Sequence, residues 1–202
     1  MIDSIAELAR HYFDRPARAS QPRNDGFEDP FAAREEWLFP GEALRDLALL
    51  HERYAEWGRL YTAAQLSQGE WAMFSEPGWH GWALSKGEVP FWVKERFLWS
   101  LAVPFLDYVK GWNPGEEMPH GFFMLWHLVL PHEPLERSVG QVALESLEMI
   151  LSIDDERCQM YALHGLNHLD HPDRAKVVQA WMDRERNRVD PWVTQCRDGE
   201  AM

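Results

Sequence analysis

The stretch Asp154 to His171, DDERCQMYALHGLNHLDH, with Pro172 directly after it, decides how this chain is read. Its apolar positions Cys158, Tyr161, Ala162, Gly165, Leu166 and Leu169 recur at alternating steps of three and one, the period of a helix with one buried face. The pattern predicts a single capped helix over 154–171, with Asp154 able to cap it and Asp155 and Glu156 suited to its positive end. Gly165 sits at the centre of the buried face, although a mid-helix glycine costs about 1 kcal/mol relative to alanine. The expected return is close approach of a neighbouring helix.

The segments on either side follow the same logic. Upstream, Leu135, Val139, Val142, Ala143, Leu147, Ile150 and Leu151 form one apolar face, and Pro134 suits the first turn of that helix. The link Ser152–Asp154 is short, so the two helices fold back antiparallel. Gly121 to Leu130 is apolar on all sides, as expected of a helix surrounded by neighbours. Downstream, Pro172 opens a helix with Ala175, Val178, Trp181 and Met182 inward, and residues 191–202 read as a tail. At the other end, residues 3–13 form a short amphipathic helix and residues 15–40, broken by four prolines, an irregular arm. Ala43, Leu47, Leu50, Tyr54, Trp57, Tyr61 and Ala64 then alternate at four and three, which predicts one long helix. Residues 69–90, rich in Gly, Pro and Trp, read as a loop. Helical patterning resumes at Phe91 with a break near Pro104. The whole predicts a single all-α domain of successive antiparallel helix pairs, an α-α superhelix.

Composition excludes several functions. The chain has 202 residues, 33 Asp plus Glu against 20 Lys plus Arg, and a formal charge of −13. No segment is basic, so nothing offers the positive stripe a nucleic-acid binder needs. The excess acid instead suits a basic protein partner. The longest apolar run falls well short of the roughly 20 residues of a membrane span. The N-terminus lacks the basic flank of a signal peptide. These features predict a cytoplasmic protein without membrane attachment. Cys158, on the apolar face of its helix, is expected to pack as a small hydrophobe.

The stretch Cys158 to Leu169, CQMYALHGLNHL, resembles a motif of bacterial all-helical proteins related to HEAT-like repeats, in which Cys-Gln precedes ALHGLGH. The likeness spans about residues 120–190. Met160, Tyr161 and Asn167 depart from the motif, Asn167 standing where it has glycine. The resemblance implies the helix pairing and brings no assigned activity.

Chemistry has few candidate seats. His164, His168 and His171 stand at i, i+4 and i+7, so on a continuous helix they share one face, and the first two have the spacing of paired metal ligands. His120, His127 and His132 surround the apolar helix as a second group. Of these, His127 needs a partner if it is buried. No nucleophile elbow, phosphate loop, paired CxxC or kinase signature is present. No catalytic residue and no cofactor is read from the sequence. The first expectation is therefore a non-enzymatic interaction scaffold or regulator, of the immunity or antitoxin kind, binding a basic protein. A competing expectation is a metal-dependent hydrolase using His164 and His168 with His171 or Asp173. A third is a small-molecule sensor whose groove is lined by Trp79, Trp82 and Trp92, since tryptophan supplies both area and a polar N–H.

Overall fold

The computed structural model describes residues 4–15, 40–75, 79–85, 88–112, 120–131 and 134–201. Among them the architecture is all-α and contains no strand. The elements are α1 (Ile5–Phe13), α2 (Pro40–Glu52), α3 (Tyr54–Leu60), α4 (Ala63–Ser75), α5 (Trp79–Ser85), α6 (Phe91–Ser100), α7 (Val103–Asp107), α8 (His120–Val129), α9 (Arg137–Leu151), α10 (Glu156–His168), α11 (Arg174–Arg184) and α12 (Pro191–Asp198). Their buried residues join in one hydrophobic core. No helix among the described residues is long and apolar enough to cross a membrane. The irregular arm expected over 15–40 lies outside the described residues except at its two ends.

The long helix expected from Ala43 to Ala64 is instead three. At the first break the Leu50 carbonyl accepts from the Arg53 N–H at 3.3 Å and from the Trp57 indole Nε1–H at 2.8 Å. A side chain inserted into the backbone ladder is a recognised cause of a helix kink. At the second break Tyr61 is extended and Thr62 opens α4 with a reciprocal cap: its Oγ1 accepts from the Gln65 N–H at 3.3 Å, and Gln65 Oε1 accepts from the Thr62 N–H at 3.0 Å. The loop expected over 69–90 is likewise corrected, because α4 runs on to Ser75 and α5 occupies Trp79–Ser85. Around Pro104 the chain does break, and the proline sits in the first turn of α7.

In the C-terminal half, α9 begins at Arg137, so Pro134 lies before it. Asp155, not Asp154, caps α10: its Oδ1 accepts from the Arg157 and Cys158 N–H groups at 3.0 and 3.1 Å. Gln159, from the Cys-Gln pair, donates to the Ile153 carbonyl at 2.9 Å and accepts from Arg188 at 2.6 Å, which pins the α9–α10 turn. Ala175, expected inward on α11, is exposed, while Val178 and Trp181 are buried. The tail is corrected to α12, opened by the Asp190 cap and Pro191.

Two packings place the elements that matter for chemistry. The helix α8 lies against α4, where the Gly121 N–H donates to Ser67 Oγ at 2.8 Å, and also against α10. On its other sides α10 meets α9 and α12. It also touches α11, and its seam with α8 brings His127 together with His164 and His168.

Candidate metal centre

Three imidazoles meet on the α8–α10 seam: His127 from α8, and His164 and His168 from consecutive turns of α10. His127 Nδ1 lies 2.9 Å from His168 Nε2, which lies 3.1 Å from His164 Nε2. One nitrogen from each ring falls within a 4.8 Å group. His164 is buried, and His127 and His168 are partly exposed.

The His164 ring is held from two directions by Phe123, one turn before His127 on α8. Its Nδ1–H donates to the Phe123 carbonyl at 2.9 Å, and the Phe123 ring stacks on it at 4.0 Å with planes 7° apart. That bond assigns the proton to Nδ1 and leaves Nε2 with its lone pair facing His168. Burial lowers the pKa of His164, the Phe123 bond raises it in part, and His127 and His120 lower it further. A depressed pKa favours the neutral ring, the form that ligates metals.

The third member corrects the sequence reading. A shared face for His164, His168 and His171 required the helix to continue to His171, but α10 ends at His168 and Leu169 is extended. A proline ring clashes with the carbonyl four residues before it, here that of His168, so Pro172 cannot prolong this helix. His171 instead packs against α9 beside Gly140, and its Nδ1 accepts from the Asp173 N–H at 3.2 Å. Asp173 pairs with Lys176. Of the other group, His120 is exposed beside Phe123 and Trp71, and His132 lies outside the described residues. His127 was visible in the sequence as a histidine in an apolar helix. Nothing there joins it to His168, 41 positions away.

Of the three tryptophans expected to line a groove, the structure describes the side chains of two. The Trp79 side chain lies outside the described residues, Trp82 is exposed, and Trp92 is 52% exposed beneath the Arg45 guanidinium at 5.5 Å. A groove of about 340 Å³ is lined by Trp92, Trp99, Glu95, Arg96 and Glu52, and Trp82 is not among its lining residues. Cys158 and Cys196 are both buried, and burial pushes each thiol up to about 12, so neither offers a thiolate. A second polar cluster, absent from the sequence reading, joins His51 Nε2 and Glu70 Oε2 at 3.1 Å, both fully buried. Among the described residues this contact leaves His51 Nδ1 and Glu70 Oε1, both buried, without a hydrogen-bond partner.

Comparison of the chain with family models, with curated proteins and with solved structures gives no match.

Proposed function

We propose that this chain binds a divalent transition metal through His127, His164 and His168 and acts through it as a metal-dependent hydrolase. The observation that carries the reading is the double contact at His168 Nε2. An imidazole nitrogen holds either one proton or one in-plane lone pair, so it cannot make good hydrogen bonds to His127 Nδ1 and His164 Nε2 together. A cation among the three nitrogens takes a lone pair from each. Ligand nitrogens on a tetrahedral zinc stand about 3.3 Å apart for bonds of about 2.0–2.1 Å, close to the 2.9 and 3.1 Å separations here, while the wider His127–His164 separation, within 4.8 Å, closes by side-chain rotation when a metal binds. Imidazole sets suit zinc, copper, nickel and iron, and the Phe123 carbonyl supplies the outer partner that fixes a ligating ring. With three protein ligands a bound metal keeps an open position, where it lowers the pKa of water to about 7.

Zinc titrated into the metal-free, untagged protein is expected to bind one to one and to raise Tm, a stabilisation of about 2.7 kcal/mol at one hundred times Kd. His127→Ala should weaken binding by at least about 100-fold, beyond the loss that an outer partner brings. Zinc that leaves Tm unmoved, or binds His127→Ala equally well, contradicts the reading.

A second proposal rests on a different observation: Phe91 and Trp92 both stand exposed on the first turn of α6 in a chain of charge −13. Here the chain is an interaction protein of the immunity or antitoxin kind, with Trp92 a contact for a basic partner. A Lys- and Arg-rich peptide at low salt should quench tryptophan fluorescence, and less so in Trp92→Ala; equal quenching removes Trp92 from that surface. The HEAT-like arrangement is proposed for α9–α12 alone, where α9 with α10, α10 with α11 and α11 with α12 pack as sequence neighbours.

A further inference from the structure

The residue before His168 has an unusual partner. Asn167 is buried, its Nδ2 donates to the Ala201 carbonyl at 2.8 Å, and its Oδ1 accepts from the Ala201 N–H at 3.0 Å. One side-chain amide thus pairs with both backbone groups of one residue near the C-terminus. The chain arrives there by a built route. Asp190 caps α12, whose Val193 and Cys196 are buried, and Gly199 ends it at φ +78°, where a side chain would be strained. The Glu200 N–H bonds the Gln195 carbonyl at 2.9 Å and the Gly199 N–H bonds that of Cys196 at 3.3 Å, a two-bond turn that returns the backbone toward α10. A second tie holds the same end of α10: Arg174 Nη1 donates to the Leu169 carbonyl at 3.2 Å, and its guanidinium lies under Gly199.

These ties converge on the last turn of α10, which presents His168 between the other two imidazoles. A helix end frays unless held, and metal sites need their ligands fixed by outer contacts. We infer that Asn167 is a positioning residue, coupling docking of the segment Pro191–Ala201 to the geometry of His168, so that metal binding and docking of that segment strengthen one another. The inference rests on the metal reading above. Coupling of this kind is reciprocal by thermodynamic necessity.

The test uses the full chain with Co(II) as the probe, read by its d–d absorption and by affinity in competition with a chelator. Asn167→Ala removes both bonds from α10, and Ala201→Pro removes the donor to Oδ1 while leaving α10 untouched. Ser146→Ala is the control: its Oγ donates to the Leu98 carbonyl at 3.0 Å and ties α9 to α6. Both first variants should bind Co(II) at least about 10-fold more weakly with an altered absorption band, as loss of an outer partner does, and Ser146→Ala should bind as the parent does. Co(II) should also slow proteolysis of the C-terminal segment in the parent chain. If the parent fails to bind Co(II), the metal reading falls and takes this inference with it. If the parent binds and both variants match it, the metal reading stands and the coupling is wrong. Equal weakening in Ser146→Ala also overturns the coupling, since affinity then follows global stability.

Discussion

Gly165→Leu is expected to unfold at distinctly lower denaturant than the parent chain, with a loss of about 3 kcal/mol, the upper end for overpacking a core. A Cβ built on Gly165 would lie 2.6 Å from Leu147 Cδ2 of α9 and 2.9 Å from Trp126 Cβ and Cγ of α8. Real Cβ atoms do not approach so closely, and the buried Trp126 has little room to retreat. Leucine would recover about 1 kcal/mol of helix propensity, too little to offset the clash. The close approach of a neighbouring helix expected from the sequence is present, and side chains of two helices fill the notch. Urea unfolding with equal slopes in parent and variant checks the value. A variant as stable as the parent would mean that α10 is not wedged between α8 and α9.

The second large effect is a loss of stability in acid that His80 creates. His80, on α5, is buried and donates through Nε2–H to the Leu128 carbonyl at 2.8 Å. Burial lowers its pKa from 6.5 to about 4, and the bond to Leu128 opposes that shift only in part. The folded state therefore holds the ring neutral where the unfolded chain protonates it. Stability is complete above pH 6.5 and falls as pH drops from 6.5 toward 4, by about 3 kcal/mol at 1.36 kcal/mol per unit. His80→Gln keeps a donor and does not titrate, so its unfolding free energy should change less between pH 7.5 and 4.5. Identical profiles in parent and variant would assign the acid loss to other groups.

How far the sequence could be read depended on whether the deciding signal was local. The α9–α10 turn and the buried face of α10 were legible, because a short link and an apolar stripe are properties of adjacent residues. The extent of α4 was also local in principle: Thr62-Ala-Ala-Gln65 is a capping box, but the continuing seven-residue rhythm across Tyr61 concealed it. Pro172 likewise marked the end of α10, and with it the exclusion of His171 from the site. The break at Arg53 was not local, since it depends on where the Trp57 indole N–H finds a carbonyl. The two histidine groups were each visible in the sequence. Their meeting depends on α8 packing against α10, a tertiary fact that neither group encodes alone.

The most direct measurement on the metal assignment is a crystal structure of the zinc-soaked protein with anomalous data collected on both sides of the zinc edge. The expected map has one strong peak on the α8–α10 seam, about 2.0–2.1 Å from His127 Nδ1, His164 Nε2 and His168 Nε2. A seam without a peak, or a peak held by His171 or Asp173 in place of His127, would contradict it.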